Sequence, residues 1–304
     1  MDAIPLENQE TKSPRPTPVV LLLLDGWGIA PAGEANAIMA AKIPTWSNLI
    51  KEYPVATLAA GNKSLNTRYL TIGAGRDISV EDEKINITLT TALAAAGLKQ
   101  KKIAETERLA ALTYFFNGGQ ESKAAGEDWQ IITSAATGKN DKLSLTLKRT
   151  VGEIIKTISS NEPPDFIVAV LPYLDLVAAR GEFLAVKQAA ETVDKNLKKI
   201  LAAIEAKNGL LIISAAAGNA EKMLNLGTEL ADTEITANPV PLLIIGKEFK
   251  GKTIGLADAM SNDLSLLAPA GTLADIAPTI LHILGIEPPL EMSGKSLLKQ
   301  PPTD

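Results

Sequence analysis

Two aspartates stand where the chain leaves apolar runs, Asp25 in "LLLLDGWG" and Asp175 in "YLDLVAARG", shortly after "DFIVAVLP". A carboxylate at the carboxyl end of a parallel strand lies where ligands of open α/β sheets bind. A third run, "GLLIIS", ends instead in three alanines, Ala215 to Ala217, followed by Gly218 and Asn219. At this strand end the sheet therefore presents side chains without a functional group. Each aspartate also has an ordinary structural reading: Asp25 before Gly26 caps a turn, and Asp175 is the acid of a loop or helix start. Two carboxylates alone make a poor metal cage, because each divalent ion needs several oxygen or nitrogen donors to replace its water.

Composition removes other chemistries. Cysteine is absent, which excludes disulfides, thiolate metal sites and cysteine nucleophiles. Histidine, the commonest general base, occurs once, as His282 in the helical pattern "LADIAPTILHILG". With 4% aromatic residues and a net charge of −5, the chain has neither a stacking platform nor a basic stripe, so no nucleic-acid partner is expected. The run "VVLLLL" is too short to span a bilayer, and no transmembrane segment is expected. Residues 1–17, polar and proline-containing, predict a flexible solvated tail without signal-peptide flanks, which makes the cytoplasm the default location.

The elements that must position these residues follow from periodicity. The 304 residues, 46% of them hydrophobic, suffice for one large domain over residues 18–300. Nearly continuous apolar runs, "PVVLLLLD", "LTYFFN", "WQIIT", "DFIVAVLP", "GLLIIS" and "PVPLLIIG", read as strands covered on both faces. Between them "TWSNLIKEY", "LKRTVGEIIKTI" and "LAVKQAAETVDKNLKKILAAIEAK" repeat at helical spacing. The pattern predicts a single α/β domain, a mostly parallel sheet with helices on both faces. The polar stretch from Lys247 to Ser265 reads as a long surface loop and a candidate partner contact.

In the order in which they occur, "LLLLDGWGIAPAGEANAIMAAKIPTWSNLIKEYP", "LTIGAGR", "IAETERLAALTYFFNGG", "LDLVAARGEFLAVKQAAETVD", "GNAEKM", "NPVPLLIIG" and "GTLADIAPTILHILGIEPPLEMSGKSL" resemble the cofactor-independent phosphoglycerate mutases, members of the alkaline phosphatase superfamily. The resemblance covers most of residues 18–300. It implies an alkaline-phosphatase-like fold with two metal ions, manganese or magnesium, and a serine that accepts the phosphoryl group. It also implies a second, inserted transferase domain. Near Asn86 to Thr91, where that insertion belongs, this chain has only a short connection, so the inserted domain is expected to be absent.

Carried over residue by residue, the resemblance makes Asp25 and Asp175 surviving metal ligands. The histidine four residues after the second falls on Ala179, the acid and histidine before Gly218 fall on Ala216 and Ala217, and two further histidines fall on Ile235 and Ala111. A family lysine corresponds to Arg108. The reactive serine falls on Leu65, which has no oxygen to attack phosphorus, and a nearby histidine on Tyr69; Ser64 and Thr67 are the neighbouring hydroxyls. His282 lies away from every ligand position. Carboxylates left together without cations would repel and be driven to protonate. A guanidinium, of Arg180 or Arg68, could neutralise Asp25 or Asp175 in place of metal. Arg68, Arg180 and Arg108 are also candidates for anion binding, although the ordinary reading of Arg68 and Arg180 is as solvated surface residues.

These readings predict a catalytically inactive relative of the mutases, with no cofactor, that serves as a scaffold, a regulatory partner or a subunit of a larger assembly. The competing readings are a residual metal-dependent phosphatase or mutase-type phosphotransferase, and a binding module for a phosphorylated metabolite.

Overall fold

A strand whose side chains alternate between two faces can bury all of them only where both faces are covered. In the computed structural model, which describes residues 15–79, 84–134, 140–225, 227–252 and 263–298, β1 (Val19–Leu24) is buried at every position. It is followed by α1 (Pro44–Glu52), β2 (Val55–Ala59), α2 (Leu65–Ala74), α3 (Leu89–Ala95), β3 (Gln100–Glu105) and β4 (Glu127–Ile132). Next come α4 (Asn140–Ile158), β5 (Phe166–Leu171), α5 (Tyr173–Ala178), α6 (Phe183–Lys207) and β6 (Leu210–Ser214). The short pair β7 (Leu224–Asn225) and β8 (Leu230–Ala231), then β9 (Val240–Ile245), β10 (Gly271–Thr272) and α7 (Ile276–Ile283) complete the order.

Eight strands form one sheet in the order β10-β2-β9-β6-β1-β5-β3-β4. All neighbours are parallel except β9, which runs antiparallel to both β2 and β6. Two groups of helices cover it, α1, α4, α5 and α6 in one, α2, α3 and α7 in the other. The single α/β domain with a mostly parallel sheet is thus the one its sequence predicts.

The buried acid Asp194 illustrates how the layers are fastened. The first turn of α1 opens at Pro44 with no capping side chain from its own N-cap residue, Ile43. Asp194, from the middle of α6, accepts instead from the backbone N–H of Trp46 at 2.8 Å and of Thr45 at 3.2 Å. A carboxylate at a helix N-terminus meets both its free amides and its dipole, so this acid is structural.

Three sequence expectations need correction. "LTYFFN" is not a strand: Ala111–Phe115 form a π-helical turn packed on α2, where Gly73 leaves room for the Phe116 carbonyl. The strands β2 and β3 were not among the predicted runs. β3 carries Gln100, Lys101 and Lys102, and its polarity hides it, yet Lys102 is fully buried and ion-paired with Glu127 of β4, which stands opposite Gln100. "PVPLLIIG" is a strand, but an antiparallel one.

Between α2 and α3 the connection is short and well tied. Thr88 and Thr91 exchange side-chain and backbone bonds in a capping box at the start of α3, and the Ile85 amide donates to the Gly118 carbonyl at 2.8 Å. Residues 1–14 of the expected tail and 253–262 of the expected partner loop lie outside the described residues.

Candidate functional site

The neighbouring strands β6, β1, β5 and β3 bring their carboxyl ends side by side. After β1 the chain turns at Asp25 and Gly26; after β5 it enters α5, which carries Asp175; after β6 it passes Ala216, Ala217, Gly218 and Asn219; after β3 it reaches Arg108. Gly26 is required here. Its φ is +92°, and a Cβ on it would lie 2.7 Å from the Asp175 amide nitrogen. That close approach lets the Asp175 amide donate to the Asp25 carbonyl at 3.2 Å and sets the two carboxylates together.

The cation between them is Arg108. Its Nε donates to Asp25 Oδ2 at 2.9 Å and its Nη2 to Asp175 Oδ2, while only 11% of its side chain is exposed. Asp25 Oδ2 also accepts from the Tyr69 hydroxyl at 2.7 Å, and Asp175 Oδ1 from Asn219 Nδ2 at 2.6 Å. Burial and the Asp25 charge raise the Tyr69 phenol well above its ordinary value, so it remains a donor. Burial alone would ease a proton off Arg108, but Asp25 and Asp175 outweigh it and hold the guanidinium protonated. Burial pushes the Asp175 carboxyl up to about 6, against the opposing pull of Arg108 and Asn219.

A neutralising arginine was therefore a sound expectation assigned to the wrong residues. Arg180 is exposed and donates to Asn140 Oδ1 at 2.5 Å. Arg68 is no surface residue: it is 1% exposed, and its guanidinium donates to the carbonyls of Gly61 at 2.8 Å, Lys63 at 3.0 Å and Ala216 at 3.5 Å. Asp25 and Glu221 act on it through space.

Leu65 opens α2, and Ser64 is its N-cap, accepting from the Thr67 amide at 3.1 Å with the two hydroxyls 3.0 Å apart. The Ser64 hydroxyl is thus spent on a helix start, and that of Thr67 is its hydrogen-bond partner. Ala111, Ala216 and Ala217 are buried, Ala179 is exposed one turn after Asp175, and Ile235 is half-buried. His282, on α7, lies 2.8 Å from Ser296 Oγ through its Nδ1.

Sequence reasoning missed two buried acids. Glu221 sits over Gly28 and Gly218, whose missing side chains make its room, and accepts from Thr236 Oγ1 and, at 3.0 Å, from Asn238 Nδ2. The pair of glycines facing "NAEKM" was the available signal. Glu105 ends β3 at 1% exposure and accepts from Thr150 Oγ1 at 3.1 Å. Burial raises it from an ordinary 4.5 to about 7. Between those values the folded chain holds a proton that the unfolded chain has released, so Glu105 lowers stability as pH rises from about 4.5 to about 7. Glu105→Gln is expected to flatten that part of the stability profile, read by urea unfolding across the window; an unchanged slope would contradict the assignment.

A family description for the metalloenzyme superfamily matches residues 17–288, and the chain belongs to that superfamily. Within it the likeness is to phosphoglycerate mutases. The chain is 36% identical over 224 residues to the 2,3-bisphosphoglycerate-independent phosphoglycerate mutase of Acetivibrio thermocellus, covering 73% of this chain and 40% of that one. The solved phosphoglycerate mutase of Leishmania mexicana superimposes with a TM-score of 0.58 at 26% identity, over 70% of this chain and 39% of that chain. A protein of the alkaline phosphatase superfamily from Vibrio parahaemolyticus, at 16% identity and a TM-score of 0.60, shares the fold over 95% of this chain and 71% of its own. The chain thus spans about 40% of the length of the curated relatives it matches.

The donors present do not fit a pair of divalent ions. Asp25 and Asp175 are both engaged by Arg108, and alanine and isoleucine at the other expected ligand places offer no side-chain donor. Among the described residues, no group of three or more Asp, Glu, His or Cys side chains gathers where an ion could be held.

Proposed function

We propose that this chain is a catalytically inactive relative of the cofactor-independent phosphoglycerate mutases that acts through its surfaces, as a scaffold, a regulatory partner or a subunit of a larger assembly. The observation that carries this reading is the Arg108 guanidinium bonded to both surviving carboxylates. Metal-assisted phosphoryl transfer needs cations with open coordination positions, which polarise the phosphoryl group and activate its attacker. A guanidinium supplies charge without a coordination position and holds its protons too tightly to serve as an acid. The attacking group is lacking as well, since Leu65 has no oxygen, Ser64 caps a helix and the Thr67 hydroxyl is bonded to that of Ser64. No helix among the described residues is long and apolar enough to cross a membrane.

The test is metal content by mass spectrometry after incubation with manganese and magnesium, beside hydrolysis of a generic phosphoester. The expected result is substoichiometric metal and no turnover above the buffer rate, followed by recovery of a protein partner in pull-downs with the full chain. Stoichiometric metal together with turnover that Asp25→Asn abolishes would overturn the proposal and establish a reduced phosphatase.

A further inference from the structure

A groove of about 430 Å3 runs between α1 and α6 and shares no residue with the carboxylate cluster. Leu49, Leu201 and Tyr53 give it an apolar lining, and Lys195, Lys198 and Glu205, all exposed, stand along its α6 side. The other charges of the groove are already matched: Asp194 holds the first turn of α1, and Glu52 is paired with Lys250 at 2.8 Å. Among the described residues, none of the side chains of Lys195, Lys198 and Glu205 has a hydrogen-bond or ion-pair partner. Lys198 and Glu205 are seven residues apart, two turns along one face of α6, with Leu201 and the exposed Ala202 midway between them.

We infer that this face is the interface of a two-fold dimer, in which α6 of a second copy of this chain lies along the groove. In such an interface one patch must complement itself: where a residue meets another on the second copy, the same contact recurs in reverse. A helix face with a positive end and a negative end meets that condition when two copies cross antiparallel about its midpoint. With the two-fold axis beside Leu201 and Ala202, Lys198 of each copy faces Glu205 of the other, and Lys195 adds positive charge one turn beyond. Ala202, exposed and small, lets the two helices approach closely at the axis, and antiparallel helices also oppose their dipoles favourably. A parallel crossing would instead set Lys198 against Lys198 and Glu205 against Glu205. A partner of different sequence needs only one sign of charge on this face, whereas two unpaired signs placed evenly about a midpoint are what self-association requires. The interface stands whether or not the chain is catalytic.

The test is sedimentation velocity of the full chain over a range of concentrations, at low and at high salt. A dimer that dissociates on dilution, and more readily in high salt, is expected. Lys198→Glu and Glu205→Lys, both at exposed positions, are each expected to weaken it about fivefold or more, because each reversal sets like charges together twice in the symmetric interface. The double variant brings opposite charges together again and is expected to return the dimer to within about twofold of the parent. A chain that stays monomeric at every concentration would overturn the inference. So would a dimer that neither single variant weakens, which would be joined through another face. A double variant that associates no more tightly than the single ones would also overturn it, since Lys198 and Glu205 would then not meet. Neither metal content nor turnover enters this readout, so its failure is separable from failure of the proposed function.

Discussion

Arg108→Met is expected to remove about 3–5 kcal/mol of stability, because it leaves two buried carboxylates facing each other with no cation between them. In a domain of this size that corresponds to a fall in thermal midpoint on the order of 10 °C. The loss should shrink as pH falls. With Arg108 gone, the folded state holds a proton on Asp175, already pushed up to about 6, that the unfolded chain releases, so lowering pH favours the fold. Adding Asp25→Asn and Asp175→Asn to the methionine variant keeps the shapes, removes both charges and should restore most of the stability. Arg108→Lys should fall between, since an ammonium is a point charge and cannot reach two carboxylates with separate arms. Calorimetry of these variants decides the matter. A methionine variant that melts with the wild type would show that Arg108 is not the counter-charge.

The second large effect lies well away from that site. Lys102 and Glu127 form an ion pair of 3.0 Å with side chains 1% and 0% exposed. Burial draws the Lys102 ammonium down to about 8 in spite of Glu127. Burial pushes Glu127 up, but Lys102 and donors from Trp129, Asn117 and the Ala124 amide bring it below its ordinary value. Thr90 Oγ1 lies 3.0 Å from the ammonium, and the Phe116 ring 4.9 Å from it. Lys102→Met removes one partner and strands the other, with an expected loss of about 3–5 kcal/mol. Lys102→Met combined with Glu127→Gln removes both charges and should recover to within about 1–2 kcal/mol of the parent. Urea unfolding of the two variants tests this; equal losses in the single and double variants would mean that packing, and not charge, sets the effect.

That same pair explains part of what the sequence withheld. β1, β5, β6 and β9 were legible because they are almost wholly apolar, and α4 and α6 because their apolar residues recur at helical spacing. β3 was not, since three of its six residues are Gln100, Lys101 and Lys102, and no local pattern says that a lysine will find its acid on another strand. "LTYFFN" failed in the opposite sense: it is apolar enough for a strand, yet it packs as a turn against α2. At the site, Asp25 and Asp175 were found as matches to the family's metal-ligand positions. Arg108 was recognised as a family position, but its contact with an aspartate 83 residues away depends on the position of β3, the strand that could not be read. Arg68 was named as a candidate, but its burial was not legible, because its partners are carbonyls of Gly61, Lys63 and Ala216, which leave no trace in side-chain patterns.

The connection before α3 has a consequence for how members of this superfamily gain and shed parts. Ile85 is bound to Gly118, and Thr88 starts α3 through its own capping box, so each end of the segment is anchored independently of what precedes it. An insertion placed between those anchors, at Asn86 and Ile87, would hang from the surface with the sheet unchanged, and its removal would leave no wound in the core. Such a place can act as a socket, taking on or losing a part while the framework stays the same.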